Sequence, residues 1–248
     1  MSRRRLLVTA GIAAFLVFLV ALMPAAVLTR WLPPGVAVAG LDGTIWSGRA
    51  SSVSLQGRAV GAASWSCRPW PLLAMKWSCH LMLKPSGGQV SAWLSGNFHA
   101  DEIEARDLAG NLPITFFEGL ASPRGWTGRL DLNVAEARIA GGLPQSAEGK
   151  LLVRGLTAPG PGGALLGDFE LTIGEGAVGT GTLTGRLSDL GGPLRVRGTI
   201  ELKRDRSYFV SGEAAPGPGA GPAIFDTLGF LGPPDNSGRR PFTVEGTL

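Results

Sequence analysis

The sequence predicts a mainly β protein: a single N-terminal transmembrane helix followed by a strongly curved antiparallel β-sheet domain built from glycine-marked hairpins. Three observations carry this. An uncharged apolar run, Leu6–Leu28, lies near the start of the chain. Beyond it, period-2 alternation recurs, while no helical period extends past about two turns. Glycine supplies 38 of the 248 residues and falls repeatedly within the strand-like stretches.

The apolar run would span about 34 Å as a helix, enough for a hydrocarbon core of about 30 Å. Arg3, Arg4 and Arg5 precede it, and Arg30 and Trp31 follow at the far interface. The positive-inside bias therefore places residues 1–5 in the cytoplasm, residues 6–28 in the membrane and residues 29–248 on the exported side. A cleaved signal peptide is the rival. The run exceeds the usual signal core of about 7–15 residues and no clean A-x-A site follows it, so an uncleaved anchor is expected.

The net charge of +4 and a pI near 9.6 invite a nucleic-acid reading. Without the three tail arginines, 20 basic residues face 19 acidic ones. No basic stripe with interleaved aromatics remains, so no nucleic acid is expected as partner. A hydrophobic fraction of 44% is too high for a disordered chain. Two His and two Cys exclude a multi-ligand zinc framework. No metal and no cofactor are expected.

Four stretches alternate clearly. In Arg129–Val134, Leu130, Leu132 and Val134 share a face; in Asp168–Ile173, Phe169, Leu171 and Ile173 do so. Leu194, Val196, Ile200 and Leu202 line one side of Leu194–Lys203, and Phe242, Val244 and Leu248 one side of the last segment. These read as half-buried antiparallel strands. A glycine two residues before an apolar residue recurs at Gly43, Gly96, Gly110, Gly128, Gly149, Gly167, Gly185, Gly198 and Gly246, several of them 18 residues apart. That spacing suits one hairpin, with glycine where the sheet bends or bulges; chance recurrence of a common residue is the alternative. Thr157–Gly163 and Ala214–Pro222 read as Pro/Gly loops, and Pro113–Leu120 and Ala223–Leu231 as short helices.

Few residues suggest chemistry. Cys67 and Cys79 each follow a Trp by two positions, and a hairpin through Arg68–Lys76 would set them side by side. An exported, oxidising setting favours a disulfide over two buried thiols. Gly174–Gly179 matches G-x-G-x-x-G, but a strand-like segment follows where a dinucleotide site needs a helix, so it reads as a turn. His80 and His99 lack triad-like spacing and read as structural; Asp101, Glu102 and Glu104 read as a solvated turn. No catalytic residue is expected, and the chain does not read as an enzyme. Of the seven Trp, Trp31 suits an interface anchor, whereas Trp46, Trp65, Trp70, Trp77, Trp93 and Trp126 read by default as core.

Several motifs together resemble one family. The segment Val36–Gly48 holds Gly43, Thr44, Trp46 and Gly48 in a V-x-G-T-x-W-x-G arrangement. Trp65, Pro69, Leu72 and Leu73 follow as W-x-x-x-P-x-x-L-L. Near the other end, Leu228–Gly232, Asp235, Gly238, Arg239 and Gly246 form an L-G…D…G-R-x-P-x…G-x-L pattern. In these the chain resembles the type II secretion system protein N (GspN) family, within the wider AsmA-like group of curved sheets. The centre matches only in its strand-and-glycine character, and the cysteine pair is outside the pattern.

The resemblance implies an inner-membrane, single-pass accessory subunit of the type II secretion system, with its bulk in the periplasm. It would support export of folded proteins across the outer membrane by contacts with other secretion subunits. The motif residues would be structural. The alternative is a periplasmic lipid-binding or lipid-conducting AsmA-like protein with an apolar groove. An outer-membrane barrel is disfavoured by the single Tyr and sparse late Trp, which cannot supply two aromatic girdles.

Overall fold

A computed structural model describes residues 3–30, 32–98, 102–118, 124–160, 163–174 and 182–247. Trp31, His99, Asp101 and most of the Gly174–Gly179 segment lie outside the described residues. The chain divides into two compact units, Met1–Ser86 and Gly87–Leu248.

The first unit starts with α1, Arg3–Ala21. The apolar run does not continue as one helix to Leu28. It stops before Pro24, which lacks an N–H and disfavours helical backbone at the residue before it. A 3-10 turn, Ala25–Arg30, follows. No helix among the described residues is long and apolar enough to cross a membrane. Leu7, Val8, Ile12, Phe15, Phe18, Leu19 and Leu22 are nonetheless exposed. Four strands come next: β1 (Val36–Gly43), β2 (Ser47–Leu55), β3 (Arg58–Cys67) and β4 (Lys76–Lys84). They pair in chain order as an antiparallel meander, with Gly43 opposite Gly48, Ser47 opposite Ser66, and Cys67 opposite Cys79.

The second unit holds β5 (Gln89–Asn97), β6 (Glu102–Pro113), β7 (Thr127–Ala140), β8 (Leu143–Ala158), β9 (Ala164–Ile173), β10 (Thr182–Asp189), β11 (Leu194–Lys203), β12 (Ser207–Pro216) and β13 (Arg240–Thr247). Each pairs antiparallel with its sequence neighbour. The four alternating stretches fall inside strands as far as the described residues go, Leu248 lying outside them, because a period of two puts their apolar set on one face. β-Bulges interrupt β5/β6, β7/β8 and β8/β9.

One short helix, α2 (Pro222–Gly229), covers part of this unit. It begins with Pro after Gly221, where the missing N–H costs nothing. Ile224 and Leu228, one turn apart, enter a cluster with Leu166, Phe169 and Ala214, flanked by Trp126, Val153, Leu187, Leu194 and Phe242. A second cluster joins Ala105, Val134 and Ala137.

Three expectations need correction. The described part of Pro113–Leu120 forms a 3-10 turn, Ile114–Phe117, after strand β6 has already taken up Pro113. Thr157 and Ala158 extend β8, and Ala214–Pro216 extend β12. Ala214 is buried, and its small side chain lets strand and helix meet where the composition alone suggested a loop.

The recurring glycines lie in the strands for a reason the pattern did not state. A Cβ on Gly110, Gly149 or Gly198 would run into the backbone carbonyl of Gln89, Asn133 or Ser211 on the neighbouring strand. Glycine there permits close approach of two backbones.

Candidate functional site

The motif residues form two clusters, one in each unit. In the first, the β1–β2 turn is built around Thr44. Its Oγ1 accepts the backbone N–H groups of Trp46 and Ser47, each at 3.2 Å, while Thr44 N donates to Ser47 O at 2.8 Å. Gly43 has φ +94°, a left-handed conformation that glycine adopts without steric cost. Asp42 and Arg49 close an exposed ion pair at 2.7 Å across the base of the turn; at such exposure it contributes little.

Two tryptophans tie this turn to its surroundings. Trp65 of β3 donates its indole N–H to Thr44 O at 3.2 Å. A Cβ on Gly48 would strike the Trp65 ring, so only glycine fits beneath it. Trp46 donates its indole N–H to Val20 O at 2.8 Å, in the last turn of α1. Ile45 N donates to Met23 O at 3.0 Å, and Pro24 bridges Thr44. Carbonyls at a helix C-terminus have no partner within the helix. The turn supplies donors to the carbonyls at the end of α1 and just after it.

The Cys67–Cys79 disulfide is present. Cys67 N donates to Trp46 O at 2.6 Å, which joins the disulfide to the same turn. Beyond the disulfide, Pro69 precedes a 3-10 turn, Trp70–Ala74, ended by Met75 in the left-handed region. Leu72 is half-buried and Leu73 exposed. Trp70 is 77% exposed, so it is not core. Trp46, Trp65, Trp77, Trp93 and Trp126 are half-buried.

In the second cluster, Asp235 organises the turn before β13. Its Oδ1 accepts Ser237 N, Ser237 Oγ and Arg239 N at 2.8, 2.7 and 2.8 Å. The Ser237 hydroxyl, followed by the Arg239 N–H, holds its carboxyl below the usual carboxylate range. Gly238 sits at φ +78°. Arg239 pairs with Glu213 at 3.2 Å, and Arg240 donates to the carbonyls of Leu228 and Gly232 behind α2. Gly246 faces Tyr208, whose ring leaves no room for a Cβ. A cleft of about 600 Å³ beside this turn is lined by Asp189, Arg195, Arg197, Glu213 and Arg239.

The Asp235 turn carries a pH prediction. A carboxyl with a depressed folded pKa stabilises above its unfolded pKa and loses that contribution as pH falls through the folded value. Asp235→Asn should therefore melt lower than the parent at pH 7, and the gap should close below about pH 4. A gap that stays constant down to acid pH would mean the charge is not what holds the turn.

The other flagged residues are dispersed. His80 lies half-buried in β4 opposite Ser66. Glu102 and Glu104 lie on β6, where Arg106 pairs with Glu104 at 2.7 Å and holds its carboxyl below its ordinary range. Among the described residues no group of three or more His, Cys, Asp or Glu is placed to hold a metal ion.

Sequence reasoning missed two things. Arg240, which ties β13 to α2, was passed over because its role depends on carbonyls 8 and 12 residues away. The near-neutral exported part proves to be a cancellation. Residues 29–86 contain six basic residues and one acidic residue, and Gly87–Leu248 contains fourteen and eighteen. The signal was present: no carboxylate occurs between Asp42 and Asp101.

These clusters define an antiparallel β protein whose distinctive residues build turns, clasps and helix caps. The family model described as "Type II secretion system (T2SS), protein N" matches residues 34–243, and the chain belongs to this family. It is 28% identical over 261 residues to a type II secretion system protein N of Aeromonas hydrophila, covering all of both chains. It is 26% identical over 229 residues to one of Vibrio cholerae serotype O1, covering 88% of this chain and 87% of the relative. No solved structure matches the chain. Its role is that of an accessory subunit of type II secretion.

Proposed function

We propose that the subunit is held in the inner membrane by residues 6–28, with its N-terminus cytoplasmic and both β units in the periplasm. There it contacts other secretion subunits and works by positioning them, without catalysis. The observation that carries this reading is the clasp of Trp46 and Ile45 on the carbonyls of Val20 and Met23. A sheet bonded directly to the end of an apolar segment is oriented by it, as a membrane-side scaffold requires. The exposed apolar side chains of α1 favour lipid as their surroundings.

In this reading Gly43, Thr44, Trp46, Gly48 and Trp65 lock the first hairpin to the anchor, Pro69, Leu72 and Leu73 shape the tip of the β3–β4 hairpin, and Asp235, Gly238, Arg239 and Gly246 set β13 in register. The bulges and the close interstrand glycines favour a strongly curved sheet.

N-terminal sequencing of the mature protein together with copurification from membranes tests the proposal. The expected results are an intact apolar segment and recovery of secretion subunits. A mature start near Ala25 would overturn the anchor. Stoichiometric bound lipid without protein partners would favour the lipid-groove alternative.

A further inference from the structure

The shape of the β3–β4 hairpin tip does not account for the apolar side chains that it exposes. Its 3-10 turn presents Trp70 at 77%, Leu73 at 86% and Met75 at 55% exposure. These are large apolar groups on a surface where water gains nothing from them. Arg68 and Lys76, both exposed, flank them on either side. We propose that this tip is a wedge that inserts into the headgroup–acyl boundary of an anionic lipid surface, on the side of the membrane from which the anchor emerges. The proposal rests on the anchor reading given above.

Four observations point to lipid as the occupant. The first is location. The tip leaves β3 at Cys67, whose N–H bonds Trp46 O, and Trp46 in turn bonds Val20 O at the end of α1. The tip and the end of the apolar segment are thus on the same edge of this unit. The second is composition. A Trp with Leu and Met between two cations suits the interface, where an amphipathic ring sits at headgroup level and long cationic side chains reach phosphates.

The third is charge. From Gly43 to Ser86 the unit carries Arg49, Arg58, Arg68, Lys76 and Lys84 and no carboxylate. Such an excess is drawn to anionic headgroups, within the reach set by salt screening. The fourth is rigidity. The disulfide closes the hairpin directly below the tip. Pro69 and Pro71 restrict the turn, and Met75 N donates to Leu72 O at 3.0 Å. A preformed tip loses little conformational freedom on insertion.

The test places an environment-sensitive fluorophore on the full-length protein through Leu73→Cys, with Ala59→Cys, at the opposite end of the same hairpin, as reference. Both are reconstituted into vesicles of phosphatidylethanolamine and phosphatidylglycerol. Carbonate-resistant flotation reads the anchor, and quenching by aqueous iodide reads the wedge. The expected result is flotation of both proteins, with the label at 73 shielded several-fold more than that at 59. Asp substitutions at both Trp70 and Met75 should abolish the shielding without affecting flotation, since both side chains are exposed and their loss leaves no cavity.

Flotation with equal quenching at the two positions would overturn the wedge and leave the anchor standing. Loss of flotation would bring down both. Shielding at 73 that occurs in native membranes but not in pure-lipid vesicles would assign the tip to a protein partner and overturn the lipid proposal.

Discussion

Phe169→Ala is expected to destabilise the Gly87–Leu248 unit by about 3–5 kcal/mol, the usual range for removing a buried aromatic ring from a core. Phe169 is only 7% exposed and sits with Leu166, Ala214, Ile224 and Leu228 where α2 meets the strands. The unit has few buried large side chains to share the loss, and the backbone around Phe169 is held by β8 and β10 on either side. Collapse into the cavity should therefore be limited. Hydrogen exchange on the full-length protein in detergent gives the readout. Slowly exchanging amides of β9 and β10 should lose protection about a hundredfold or more, and those of the first unit should change much less. A loss of less than tenfold would mean that α2 does not close over this ring.

Removing the disulfide is the second large effect. The double variant Cys67→Ser, Cys79→Ser should cost about 2–3 kcal/mol, given a closed loop of only 12 residues. The effect should be concentrated in the first unit, because Cys67 N also bonds Trp46 O. Trypsin offers a local probe. The bond after Arg68 is protected by Pro69, but the bond after Lys76 is cleavable once the hairpin tip opens. The oxidised protein should resist cleavage there, while the variant should be cut rapidly. Thiol labelling provides the control: complete labelling of unreduced parent protein would show that no bridge exists.

The strands were legible because their signal is local. Leu194–Lys203 alternates in the sequence, with a break at Gly198, and forms β11 with those same bounds. The cysteine pairing was legible for the same reason, since a short hairpin leaves little choice of register. α2 was found within one or two residues because Pro222, Ile224 and Leu228 all lie within two turns. The Pro/Gly rule misplaced the ends of β8 and β12, because pairing with a neighbouring strand outweighs the turn preference of a single residue.

The candidate sites were half legible. Gly43, Thr44, Trp46, Gly48 and Trp65 stood out as a motif, and their own spacing marked a tight turn. What they hold was not visible, since Trp46 reaches a carbonyl 26 residues earlier in the chain. Arg240 escaped for the same reason. The charge told a similar story. Counted over the whole exported part it nearly vanishes, and only the division at Ser86 separates a basic unit from an acidic one.

Taken alone, the amino-acid sequence determined the β class, the apolar segment, the disulfide and the family motifs, all of which depend on residue type and short-range period. Tertiary structure decided where α1 ends, which carbonyls the tryptophans occupy, why the strand glycines exclude a side chain, and which apolar residues remain outside the core. Those outcomes depend on contacts between residues far apart in the chain, where partner and distance are set by packing and leave no periodic trace in the sequence.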